Sequence, residues 1–255
     1  PATSIVSLVE AHIEKGVAIA TLDEYLADAK LRLMVLRLRA DHPALAKDPL
    51  LPHRAAARAL GEARSRHIPY NFAMDFRDRS KYFCSEVASA AYEAEGVTLW
   101  MGLSTLSSAG VCSWLSEFGV RNSTTQEPSD LEYDPQLRVV AEWRDPETLQ
   151  DDHLDNAIVE VRLEGANRGV KLGHAAWLLP VARVMKAYSW ALNGVGGVGP
   201  IPEGMSATAA LKLQAFRSRH AEMRARLREK ADQFKARQGY AAPYWELVRM
   251  AREIP

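Results

Sequence analysis

The stretch Tyr82-Phe83-Cys84-Ser85-Glu86-Val87-Ala88-Ser89-Ala90-Ala91-Tyr92 carries the most chemical information in the chain. It is predicted to open a helix running from about Phe83 to Glu95 and closed by Gly96. A cysteine in the first turn of a helix sits among unpaired backbone amides at the positive end of the macrodipole, where thiolate is favoured over thiol. The placement suits a nucleophile. The structural alternative is a small residue packing the helix against a sheet, because free cysteine is among the most buried residue types.

Working back from Cys84, Tyr70 to Lys81 reads as a loop and residues 53 to 66, rich in Ala and Arg, as a helix. That helix is expected to end at the Ile68-Pro69 step, since a residue before proline avoids the α region. The proline-rich stretch Pro43 to Pro52 reads as a loop, and Leu33 to Leu38 as a strand. Thr21-Leu-Asp-Glu24 is a capping-box pattern that starts a short helix. Residues 4 to 9 read as a strand, and Val17 to Ala20 as its return around the Glu14-Lys15-Gly16 turn.

Working forward, a serine-rich stretch holds Cys112, and Gln126 to Pro135 reads as an acidic loop. The apolar runs Leu137 to Val140 and Ala157 to Leu163 are read as strands. Residues 174 to 192 and 206 to 237 are helical in pattern, separated by the glycine-rich Asn193 to Gly204, and a last helix lies near Tyr244 to Arg252. No internal repeat is visible. The fold class is α+β, with a boundary near residues 145 to 170 between a mixed part and a helical extension.

At 255 residues the chain is long enough to bury a substantial core. A formal net charge of zero gives no global pull toward nucleic acid. With only Cys84 and Cys112, neither a disulfide framework nor a cysteine-rich zinc site is supported. No run of eighteen apolar residues is present to span a membrane.

The run Ile68-Pro69-Tyr70-Asn71-Phe72, then Asp75 to Asp78, then Tyr82-Phe83-Cys84-Ser85-Glu86 resembles the permuted papain-like hydrolases related to the NlpC enzymes, often called YiiX-like. Leu8-Val9-Glu10-Ala11 followed by Gly16-Val17 looks like that family's Val-Glu-Ala strand and its return. Glu127-Pro128-Ser129-Asp130-Leu131 resembles its closing segment. The likeness covers roughly residues 4 to 143. It implies a papain-like antiparallel sheet flanked by helices over residues 1 to 145, with 146 to 255 as a mainly helical extension.

The resemblance further implies that Cys84 is the nucleophile, activated by a histidine and oriented by a third polar residue that maps onto Glu10, with Tyr70 lining the substrate cleft. The histidine takes the thiol proton while a carboxylate holds the ring in its productive tautomer. Taken alone, Glu10 reads as an exposed strand carboxylate and Tyr70 as a packing residue. In the permuted order the histidine precedes Glu10, and the chain begins at Pro1 rather than Met, so the sequence is expected to lack an N-terminal segment. His12, on the same strand face as Glu10, and His174, downstream of Cys84, are the alternatives. His42, His53, His67, His153 and His220 read as solvated side chains.

Two function classes follow. One is a cysteine hydrolase or acyltransferase forming a Cys84 thioester with a small-molecule, peptide or lipid substrate, requiring no cofactor or metal. The other is a papain-like binding or scaffold module without a competent base. The C-terminal helices, with apolar and aromatic residues at 177 to 190 and a basic helix after them, read as packing elements with peripheral membrane contact as the alternative. Nucleic acid is not an expected partner.

Overall fold

The computed structural model describes residues 6–27, 31–99, 102–194 and 196–254, so Ser4 and Ile5 of the expected first strand lie outside the described residues. A hairpin opens the fold, β1 (Ser7–His12) pairing antiparallel with β2 (Gly16–Thr21). Helix α1 (Leu22–Ala27) starts on the expected capping box. The Thr21 N–H donates to the Glu24 carboxylate at 2.7 Å, and the Glu24 N–H donates to the Thr21 hydroxyl at 3.2 Å. Strand β3 (Arg32–Leu38) pairs antiparallel with the distant β6 (Leu137–Arg144), with an irregularity at Val35/Leu36. A third ladder joins β4 (Ser104–Thr105) to β5 (Thr124–Thr125).

The α+β class is therefore observed, but the expected papain-like sheet is present among the described residues as three separate two-stranded antiparallel ladders. The β3/β6 ribbon stands clear of the helices on much of its surface, with Val35, Val139, Val140 and Trp143 exposed.

Two segments differ from their sequence reading. Pro43 to Pro52 is not all loop: it contains α2 (Pro43–Lys47) and the start of α3 (Leu51–Ser65). Pro43 and Pro52 each sit in a first turn, where the missing N–H costs no helical hydrogen bond, Pro49 lies in the turn between the helices, and His42 Nδ1 caps α2 by accepting from the Ala44 N–H at 3.2 Å. Ala157 to Leu163 is not a strand but the middle of α6 (Leu149–Asn167). Leu154, Ala157 and Ile158 recur at helical spacing and are buried against Leu227, Leu247 and Val248, so tertiary packing overrides the β-branched preference.

Helix α4 (Cys84–Glu93) lies close to its predicted position, and the serine-rich stretch forms α5 (Ala109–Phe118), capped by the Ser108 hydroxyl on the Val111 N–H. The acidic loop contains a short 3-10 turn, Pro128–Tyr133. The predicted 174–192 helix begins later, as α7 (Leu179–Asn193) with Pro180 in its first turn, after a 3-10 turn at Ala176–Leu178. Helices α8 (Ala207–Gln238) and α9 (Tyr244–Arg252) follow. Helices α6, α8 and α9 enclose the largest buried cluster; a second, Leu38, Leu51, Val97 and Leu99, lies where β3 and α3 meet the chain leaving α4.

The two halves of the chain meet at α5. Gly110 lets the start of this helix approach the Ala166 carbonyl, which stands 2.3 Å from where a Cβ would be. Trp114 Nε1 donates to the Val170 carbonyl at 2.6 Å, and the Trp114 ring packs edge-on against Phe216 of α8.

Candidate active site

Helix α4 begins at Cys84 because Phe83, fully buried and extended, anchors the chain just before it. The Phe83 N–H donates to Glu86 Oε2 at 2.9 Å, closing the first turn. Ser85 is buried and donates from its hydroxyl to the Gln126 carbonyl at 2.9 Å, fixing the turn to the segment before the 3-10 helix. Cys84 is left pointing outward between these two buried neighbours and is exposed, which removes the reading of it as a core packing residue. It lines a groove of about 320 Å³ between β1, α3 and α4, whose walls include Val9, Ala55, Ala59, Val87 and Ala88. Small alanines on the facing helices keep that groove open.

Three influences act on the sulfur. Loss of hydration pushes the Cys84 thiol above its ordinary value, the backbone amides of Ser85 and Cys84 draw it back down, and the charge of Glu86 pushes it up. Glu86 has no solvent exposure, and its other oxygen, Oε1, has no hydrogen-bond partner. Burial raises its carboxyl to about 7, against the smaller lowering effects of the Phe83 N–H and the Asn71 amide.

The loop before the helix is held by backbone pairing. The Tyr82 N–H donates to the Pro69 carbonyl and the Asn71 N–H to the Tyr82 carbonyl, both at 3.1 Å. This clamp brings Tyr70 near Cys84. Burial, then the charges of Cys84, Glu14 and Glu86, push the Tyr70 hydroxyl up to about 12. The hairpin docks on the same loop: the Val17 N–H donates to the Ile68 carbonyl at 2.9 Å, and Gly16, at φ +72°, leaves room for that carbonyl where a Cβ would stand 2.1 Å away.

The structure thus brings Tyr70 to Cys84 and does not bring Glu10 to it. Val9 and Val17 share the strand face that packs over Val87 and Ala91, and alternation turns Glu10 to the other face. There Glu10 Oε1 lies 2.7 Å from His12 Nε2, so the shared face read from the sequence is observed. His174 lies outside any helix, ahead of the 3-10 turn. Of the histidines read as solvated, His67 is exposed and lies 2.6 Å from Glu203, whereas half-buried His42 caps α2 and half-buried His220 lies 2.9 Å from Asp155. Among the described residues no cluster of His, Cys, Asp or Glu could hold a metal ion.

Sequence reasoning quoted Glu86 in the motif and missed its part in the turn. Its signal was concealed because Phe83 has no side-chain acceptor, so the usual Ser/Thr-x-x-Glu pattern of a capped start is absent.

An exposed thiol at a helix N-terminus, beside a tyrosine and a small-walled groove, is an arrangement able to attack a carbonyl. No curated protein and no solved structure matches the chain. A family model for permuted papain-like amidases does match, over residues 3–141, from the hairpin through Cys84 and into β6. With more than half its length covered, and Cys84 within the matched residues, the chain belongs to the YaeF/YiiX, C92 family of permuted papain-like amidases and is a cysteine hydrolase.

Proposed function

We propose that Cys84 is the nucleophile and that the enzyme cleaves an amide or related acyl bond through a Cys84 thioester. The observation that carries this reading is the exposed position of Cys84 as the first residue of α4, with its own and Ser85's backbone amides acting on the sulfur. The thiol proton passes to a base and the sulfur attacks the carbonyl carbon. The oxyanion so formed is stabilised by the backbone N–H at the helix start. The amine then leaves with a proton, water attacks the thioester, and the acid and the free thiol are released.

Tyr70 lines the approach to the sulfur in this reading. Glu10 and His12 touch each other on the strand face turned away from Cys84, so neither is given a part in the step at the sulfur. The alanine-walled groove favours an acyl portion that is narrow and apolar.

The pH dependence of alkylation, followed by mass spectrometry with Cys112 as internal control, tests the proposal. A Cys84 that reacts faster than Cys112 below neutral pH is the expected result. A Cys84 that titrates above the ordinary thiol range and reacts no faster than Cys112 overturns it. That second outcome would leave a binding module on the same fold.

A further inference from the structure

From residue 165 to residue 202 the chain contains no Asp or Glu, while Arg168, Lys171, Arg183 and Lys186 stand within it. Helix α7 lies in this acid-free span. Its inner side is narrow: Ala182 is buried with Ile201 and Met205, and the Ser189 hydroxyl accepts from the Ile201 N–H at 2.9 Å. Lys186 also turns inward, donating to the Pro202 carbonyl at 3.1 Å, and the outward side is apolar except for Arg183. Helical spacing sets Val181, Val184 and Tyr188 in one stripe, and Arg183 and Trp190, seven residues apart, in a second along the other edge of the exposed side, beyond Ala187. Val184 is 68% exposed, and Trp190 and the nearby Trp177 are each 77% exposed.

Side chains of this size left in water are unusual on a face so free of opposing charge. The apolar surface continues into a cleft of about 570 Å³ between α7 and α8, lined by Val181, Met185, Met205 and Leu211, with Glu14 and Arg217 paired at its edge. Two tryptophans and a tyrosine around an aliphatic stripe, with Arg183 and no acid on α7 itself, match the interfacial zone of a bilayer. No helix among the described residues is long and apolar enough to cross a membrane, so contact through this face is peripheral.

The expected basic surface of α8 is a poorer candidate. Its Arg224 is bound to Asp151 and Asp155, and its Arg228 to Asp151, so that charge is already satisfied within the fold.

We infer that the outward face of α7, with Trp177, Val184, Tyr188 and Trp190, docks the protein on the surface of an anionic phospholipid bilayer. Exposed Arg183 on a helix that carries no acid selects a negatively charged partner, and the exposed aromatics select one with an apolar layer beneath its charge. The inference is independent of the catalytic proposal.

Flotation of the full chain carrying Cys84→Ala with vesicles tests it, which separates docking from turnover. Vesicles of phosphatidylcholine mixed with phosphatidylglycerol are expected to carry the protein, and vesicles of phosphatidylcholine alone to carry much less. Val184→Asp with Tyr188→Asp is expected to reduce recovery by about tenfold or more, and Arg183→Glu by about fivefold. Circular dichroism confirms that each variant keeps its helices; should the double variant unfold, Arg183→Glu and the salt dependence of binding by the unaltered face decide. Equal recovery on both vesicle types, or none on either, overturns the inference. So does a concentration-dependent dimer abolished by the same substitutions, which would give the face to a second copy of the chain.

Discussion

The backbone N–H of Phe83 donates to the side chain of Glu86 at 2.9 Å, so the turn that presents Cys84 to solvent is closed by a carboxyl that has no contact with solvent at all. The turn that presents Cys84 therefore has a titratable group built into its base, with consequences for stability that depend on pH.

Burial sets the folded-state value of Glu86 at about 7, above its ordinary 4.5. A raised acid favours folding in its neutral form. Its contribution is fully present below about pH 4.5, is lost as pH rises through about 7, and is constant above that. The difference corresponds to a loss on the order of 3 kcal/mol. Glu86→Gln keeps an oxygen for the Phe83 N–H and removes the titration. Urea unfolding from pH 4.5 to 8 is expected to show a declining midpoint for the wild type and a flat one for the variant; parallel curves would sink this account.

Cys84→Ala is expected to abolish hydrolysis, with a loss of about ten-thousand-fold or more, as removal of a nucleophile does elsewhere. Cys112→Ala is expected to leave the rate within about twofold, the scale of a surface-level change in stability, because Cys112 lies in α5, where its thiol donates to the Leu106 carbonyl at 3.3 Å. Release of amine from an acyl-amide library measures both. An active Cys84→Ala protein would remove Cys84 from the mechanism.

Gly16→Ala places a methyl group on the Ile68 carbonyl and forces alanine to φ +72°. The strain and the lost Val17 to Ile68 hydrogen bond together are expected to cost about 2–4 kcal/mol. Since that bond docks the hairpin on the loop carrying Tyr70, reactivity at Cys84 is expected to fall along with the melting temperature. A variant as stable as the wild type would show that the loop and hairpin dock by other contacts.

Trp114→Phe keeps most of the ring contact with Phe216 and leaves the Val170 carbonyl without its 2.6 Å donor. A destabilisation of about 1–2 kcal/mol is expected, with faster amide exchange at both α5 and the end of α6. Exchange confined to α5 would contradict the coupling of these elements through residue 170.

Elements held by near neighbours were legible in the sequence. The Thr21 and Glu24 pair declares α1, alternation declares β1 and β2, and the Tyr244–Arg252 helix needed only its own periodicity. Where distant contacts decide, local reading failed. Ile158, Val159 and Val161 look like a strand until Leu227 and Leu247 are seen to demand a helix from them. The prolines of α2 and α3 read as breakers because proline is tolerated only in a first turn, and nothing local says that a turn begins there. Near the helix start, the nearness of Tyr70 to Cys84 came from the family resemblance, because read locally Tyr70 is a packing residue and the backbone clamp of Pro69, Asn71 and Tyr82 leaves no mark in the sequence. The face of β1 that meets α4 was not legible, since it depends on how the hairpin docks at Ile68.

The close approach of Gly110 to Ala166 has a consequence for how such chains could be inherited or rebuilt. The seam runs between α5, inside the span shared with the amidase family, and the helices after it, so the natural unit of exchange is not the tail alone. A tail transplanted from another lineage would meet an α5 cut for a different partner, with a glycine opening onto nothing and an indole seeking an acceptor. Grafts that carry α5 together with residues 149 to 170 should be accepted where shorter ones are refused.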